Sequence, residues 1–381
     1  MDNSRIGYRP TWAEIRLANL DANFYKVRKL IGGKTKILAT VKADAYGHGL
    51  VPIAQRLNLL GVDYLGVASL DEGIVLRRNG IKVPILVLGV VLKQDIEPFF
   101  IYNLTPTVCT KDFAAALARK ARLLRKKIPI HVKIDTGMSR LGVRPDGALG
   151  LIRYLLTLKN LQIEGIFTHF ALADKDKKFT NNQIQIFQNL VEKIKENGVH
   201  IPLVHAANSM GIIGYPKGYF TMVRPGLMLY GLYPRRDSLN IKLLPVLSLK
   251  TKVVYLKRLP AGSGVSYGHT YITPRDTTLA ILPIGYGDGF PRNLSNRAPV
   301  LIGGRRFKVT GIICMDQLIV DVGDAPVKIG DEAVLIGSQG RNAITAEELA
   351  CLAETIPYEI VCGIGSRVPR VYLPIETGKR G

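Results

Sequence analysis

Ile37-Leu38-Ala39-Thr40-Val41-Lys42-Ala43-Asp44-Ala45-Tyr46-Gly47-His48-Gly49 passes from a run of apolar and β-branched residues straight into a lysine and a glycine-punctuated loop. A run that is apolar at successive rather than alternate positions suits a strand buried on both faces, as in a parallel sheet covered by helices. Lys42 then lies at the carboxyl end of that strand, partly shielded from water. Burial disfavours the charged amine there, and a neutral lysine amine is a nucleophile able to form a Schiff base. For a lone lysine an ordinary surface position is the better account, so the rest of the chain must decide.

Working outward, the same texture recurs. Strand-like runs at 36–41, 64–68, 85–88, 106–108, 130–134, 163–167, 203–205 and 221–223 alternate with amphipathic stretches such as 17–30 and 181–197. In the latter, Ile184, Phe187, Leu190, Val191 and Ile194 recur at helical spacing. These units predict a (β/α)8 TIM-type barrel over residues 12–240, with reactive side chains at the carboxyl ends of its strands. A doubly wound sheet shares the alternation and stays open at this point. Beyond about residue 240 the runs at 245–259, 277–284, 299–309, 312–322 and 332–336 are strand-like, and one helix opens at Thr345 with Glu348 three residues on. Residues 241–381, together with 1–11, therefore read as a mostly β C-terminal domain, with the boundary near Arg235-Arg236-Asp237-Ser238.

Composition narrows the class. A 381-residue chain that is 47% apolar has ample core for two domains. Its longest greasy segment, 85–92, contains Gly89 and is far short of the ~20 residues of a membrane span. Nothing near the N-terminus reads as a secretory signal, and the four cysteines show no metal-ligand spacing, so a reduced cytoplasmic setting with no structural metal is expected. The net charge of +22 raises nucleic acid as a partner. The basic residues are scattered, however, with no interleaved aromatics and no recognition motif. A solvated basic surface that favours anionic ligands accounts for them better.

Polar side chains gather at the predicted strand ends. Lys42 and Tyr46 follow the first run; Lys133, Asp135 and Arg140 the fifth; Thr168 and His169 the sixth; His205, Asn208 and Ser209 the seventh; Arg224 and Gly226 the eighth. Ser209 and Gly226-Leu227 fall where helices would begin, and exposed N–H groups there suit a phosphate. Ordinary capping explains each singly; with Lys42 they favour a cofactor site. An arginine such as Arg224 beside a pyridine nitrogen would keep that nitrogen unprotonated, because the guanidinium keeps its own proton. Gly33-Lys34-Thr35 is not a Walker loop, since Arg28 stands at the first glycine position.

The ordered motifs resemble the alanine racemase family over essentially the whole chain: 41–49 (VKADAYGHG), 133–142 (KIDTGMSRLG), Thr168-His169-Phe170, Asn208-Ser209, Arg224-Pro225-Gly226, Ser266-Tyr267-Gly268, 285–289 (GYGDG), Cys314-Met315-Asp316-Gln317 and Pro357-Tyr358-Glu359. The resemblance implies a barrel that binds pyridoxal phosphate (PLP), a following β domain, and a head-to-tail homodimer with shared active sites that interconverts L- and D-alanine for peptidoglycan. It implies that Lys42 carries PLP and acts as one base, and that Tyr267, delivered by the partner subunit, is the opposing base. Arg224 would meet the ring nitrogen; because a phenol must be assisted to act as a base, His169 is further expected to hydrogen-bond Tyr267 and to link to Arg224. Tyr46, Ser209, Gly226, Leu227 and Tyr358 would hold the phosphate. Arg140, Met315 and Asp316 would lie on the substrate side, with Lys133, carbamylated in some members, beside Arg140 and Tyr286 in the entry corridor. A broad-specificity serine or lysine racemase shares this architecture. The single-domain PLP homeostasis proteins lack a β domain, so residues 241–381 argue against them.

Overall fold

The structure, a computed structural model, describes residues 8–233 and 241–375. The chain divides into two compact units: Asp21–Ala45 with Leu50–Leu229, and Met1–Leu20 with Tyr46–Gly49 and Tyr230–Gly381.

The first unit is a closed parallel barrel of the strands Lys36–Thr40, Tyr64–Val67, Ile85–Val87, Thr105–Val108, Ile128–Lys133, Leu161–Phe167, Leu203–His205 and Met222–Val223. Closure is direct, because Lys36 and Ile37 register with Met222 and Val223. That closure bears out the barrel expectation and excludes the doubly wound sheet. The uninterrupted apolar runs follow from burial on both faces: every residue of Tyr64–Val67 and Ile85–Val87 is buried. Leu38, Tyr64, Leu86, Leu203 and Met222 form a cluster inside the barrel. Each large apolar side chain so buried contributes about 1.5–3 kcal/mol. The outer helices start where a polar side chain satisfies free N–H groups. Asp176 accepts from Phe179 N to open Lys177–Glu196, whose Ile184, Phe187, Leu190 and Ile194 are buried.

The second unit carries, among the described residues, a ten-stranded sheet. Thr11–Arg16 belongs here: it runs antiparallel to Leu247–Lys252 and parallel to Arg370–Leu373. This corrects the expected start of the barrel at residue 12. The physical reason is visible in the strand, whose buried residues alternate with half-buried or exposed ones as a one-sided sheet requires. The expected boundary at Arg235–Ser238 falls outside the described residues. Thr345 caps Ala346–Leu352 as its spacing predicts, but Glu348 completes no capping box, since its carboxylate grips the Arg306 guanidinium instead. A second helix, Pro357–Cys362, adds to the single one expected; at six residues it is too short to display a helical period. Of the run at 312–322, only the part from Leu318 onward is strand.

Candidate active site at the carboxyl mouth of the barrel

Lys42 opens a one-and-a-half-turn helix, Lys42–Gly47, directly after the first barrel strand. The helix is left-handed: φ is +53° at Ala43, +53° at Asp44, +52° at Ala45 and +55° at Tyr46. Each L-residue in that conformation costs about 1–2 kcal/mol. Specific acceptors offset the cost. Glu72 Oε1 accepts Ala43 N–H at 2.6 Å while its Oε2 accepts Ala68 N–H at 2.7 Å, and Asp44 Oδ1 accepts Leu50 N–H at 2.7 Å. Ala45 N–H closes the turn on Val41 O at 2.9 Å. Where the sequence suggests a glycine-punctuated loop, the structure places a left-handed turn that fixes the origin of the Lys42 side chain.

The 133–142 segment is organised by Asp135, whose Oδ1 accepts the N–H groups of Gly137, Met138 and Ser139 at 2.9–3.0 Å. Burial raises the Asp135 pKa, but those donors and Lys133 outweigh it and hold the carboxyl below its usual range. Lys133 is buried, with Nζ 4.2 Å from the Phe167 ring centroid. Burial, then Arg224 and Arg140, pull its pKa well below that of a free lysine, so its amine tends to the neutral form. Arg140 is exposed at the loop's end.

Arg224 is fully enclosed at the end of the eighth strand. NH2 donates to Thr168 O at 2.7 Å and Ala206 O at 2.9 Å and approaches His169 Nδ1 at 3.2 Å; NH1 donates to His205 Nδ1 at 3.0 Å. Burial lowers the guanidinium to about 9, still above neutral pH, so it remains a donor only. Burial, followed by Arg224, Lys133, Arg140 and Lys42, holds His169 well below an ordinary histidine. Nδ1 of its neutral ring faces a guanidinium that can only donate, which leaves the proton on Nε2. His169 therefore offers a donor outward.

Ser209 begins the helix Ser209–Gly214, but the cap is Asn208, which accepts from Gly211 N–H. Freed from capping, Ser209 Oγ accepts the N–H groups of Gly226 at 3.1 Å and Met228 at 3.3 Å. Ser209, Gly226 and Leu227, adjacent in expectation, are thus brought together by direct bonds and a shared turn.

In the second unit the Tyr46 ring packs on Tyr230 at 4.8 Å and Tyr358 at 5.8 Å. Burial pushes the Tyr46 phenol up, so it stays a hydrogen-bond donor. Tyr267 begins the single turn Tyr267–His269 and is 70% exposed. It lines a surface hollow with Cys314, Met315, Asp316 and Gln317. Tyr286 N–H bonds Cys314 O at 3.0 Å, and Asp316 Oδ1 accepts from Arg367 at 2.6 Å, so Tyr286, Met315 and Asp316 form one group. Sequence reading missed Glu72 and gave no role to Asp44, which it quoted only as part of the 41–49 motif. The only local signal for Glu72 is its place three residues after Ser69, which looks like simple helix capping.

A family model described as the alanine racemase N-terminal domain matches residues 15–234, and one described as the C-terminal domain matches residues 246–372. The chain belongs to the alanine racemase family. An alanine racemase of Halothermothrix orenii is 49% identical over 97% of this chain and 98% of that one. That of Carboxydothermus hydrogenoformans is 45% identical over 96% and 100%. Among solved structures, the alanine racemase of Clostridium difficile 630 superposes with a TM-score of 0.91 at 41% identity, covering 97% of each chain. The Bacillus anthracis enzyme with bound L-Ala-P gives 0.91 at 36%, covering 97% of this chain and 96% of the other.

Proposed function

We propose that the protein racemises alanine with PLP held at the barrel mouth, as a homodimer. The observation that carries the reading is Arg224, a buried cation whose bonds run to neutral acceptors, set near the cations Lys42 and Arg140. Such a field is costly unless an anion joins it. The residues present fit PLP. Ser209 with Gly226 and Leu227, together with the Tyr46 and Tyr358 hydroxyls, would hold the phosphate, Arg224 would meet the ring nitrogen, and Lys42 would be the covalent attachment. The chemistry PLP would supply there is withdrawal of electron density from Cα, which would lower the cost of removing its proton.

The chain's own residues supply the rest. Lys42 Nζ takes or returns the Cα proton on one face, and Tyr267 Oη of the partner subunit does so on the other, which its exposure permits. A phenol needs a hydrogen-bond donor at its oxygen to act as a base. Arg224 fixes the His169 proton on Nε2, where it donates to the tyrosine oxygen and favours its ionised form. Arg140, steadied by the Asp135 loop, orients the substrate with Met315 and Asp316, and Tyr286 lines the approach. The domain reading is a PLP-binding barrel followed by a β domain, working in the cytoplasm to supply D-alanine for peptidoglycan.

An amino-acid panel assayed by loss of optical activity with added PLP tests this. Alanine should racemise, and Lys42→Ala should lose both activity and the long-wavelength absorption of bound cofactor. No racemisation of alanine by the wild type would refute the reading. Comparable rates with serine or lysine would replace it by the broader racemase, which no present observation favours.

A further inference from the structure

The barrel interior holds polar groups where a core of apolar side chains is the rule. His131 and His205 are wholly buried, and His131 Nδ1 lies 2.9 Å from His205 Nε2. His131 Nε2 faces Glu164 Oε2 at 3.4 Å; both atoms are buried and neither makes a hydrogen bond among the described residues. Gly165 makes room for this row: a Cβ there would sit 2.4 Å from His131 Nδ1. Phe167 stacks on His205 at 4.7 Å with an interplanar angle of 3°, fixing that ring's plane. The row runs from Glu164 through His131 and His205 to Arg224.

We propose that Glu164 is a positioning residue for Arg224, acting through the two histidines. The polarity of the row follows from its ends. Arg224 can only donate, so His205 must accept at Nδ1 and carry its proton on Nε2. His205 then donates to His131 Nδ1, which leaves the His131 proton on Nε2, aimed at Glu164. The carboxylate can only accept, and it stands 3.4 Å from that nitrogen as the charged end of the row. Every N–H dipole points the same way, from the cation to the anion. Burial is the largest influence keeping both rings neutral, with Arg224 adding to it. Glu164 is therefore the remote counter-charge of a guanidinium that has no room for a carboxylate beside it, because its outer side must meet the cofactor ring. Reversing either histidine would set two donors against each other and tilt Arg224.

The role of Arg224 towards the cofactor rests on the function proposed above; the proton positions do not, and the test separates them. In the wild-type holoenzyme labelled with 15N-histidine, His131 and His205 should both be neutral with the proton on Nε2. An Nδ1–H tautomer or an imidazolium in either ring overturns the proposal. Glu164→Gln, which keeps an acceptor but not the charge, should still bind PLP. Its kcat should fall roughly tenfold, on the order of the difference between a charged and a neutral acceptor, with a shifted absorption of bound cofactor and partial recovery in Glu164→Asp. An unchanged kcat and spectrum overturns it too. If Glu164→Gln does not fold, the wild-type tautomers decide alone. Failure of the wild type to bind PLP would instead count against the function and leave the tautomer result standing.

Discussion

Substituting Ala43 by glycine separates a left-handed turn from an ordinary helix by the sign of one stability change. In the interior of a right-handed helix, alanine to glycine costs about 0.5–1 kcal/mol. Ala43 is exposed and has φ of +53°, so glycine there removes about 1–2 kcal/mol of steric penalty. The unfolded chain gains freedom that offsets about 0.4–1 kcal/mol of this. The net is a stabilisation of about 0.8 kcal/mol. Ala118, in the right-handed helix Lys111–Leu123, supplies the control, and Ala118→Gly should destabilise. Urea denaturation of both variants beside the wild type reads the difference, and amide exchange at Ala45, whose N–H bonds Val41 O, reports the turn itself. Ala43→Gly keeps the N–H that Glu72 accepts, so cofactor binding should persist. A loss of stability equal to that of Ala118→Gly would refute the left-handed turn and with it the account of how Lys42 is held.

Glu72→Ala removes two N–H acceptors near the surface; water replaces much of what is lost, so stability should fall by only about 1–2 kcal/mol while kcat falls more than KM rises. An unaltered kcat would show that the carboxylate does not position Lys42. Tyr267→Phe should cripple turnover starting from L-alanine while leaving PLP binding, followed by absorbance, nearly intact; equal loss of both would end the two-base assignment. The pKa values of His131, His169 and His205 are lowered on folding. Below the unfolded value near 6.5 the unfolded chain binds protons that the folded barrel refuses, so stability falls as pH drops through and below 6.5. With all three titrating, the slope approaches about 4 kcal/mol per pH unit. Urea midpoints that stay flat from pH 7 to 5.5 would contradict the buried neutral histidines.

Much of the barrel is legible in the sequence because its signals are local. A strand buried on both faces must be apolar throughout, and the runs at 36–41, 64–68 and 85–88 lie within a residue of the observed strands. Helix Lys177–Glu196 announces itself by its period, and Thr345 announces the helix after it. The site is legible only where a motif carries it. Lys42, His169 and Arg224 mark strand ends, whereas Glu72, 29 residues from the amide it holds, has no pattern linking it to Lys42.

The sequence by itself determined the order of strands and helices, the placing of reactive side chains at strand ends, and the family. Tertiary structure alone decided three things. Thr11–Arg16 joins the sheet of the second unit because its partners, Leu247–Lys252 and Arg370–Leu373, are hundreds of residues away. Ala43-Asp44-Ala45-Tyr46 winds to the left although its composition suits the right-handed helix. A remote carboxylate on Glu72 accepts an N–H that only the left-handed path presents to it. Glu164, His131 and His205 reach Arg224 because barrel closure sets neighbouring strands in register, and no spacing along the chain encodes that meeting.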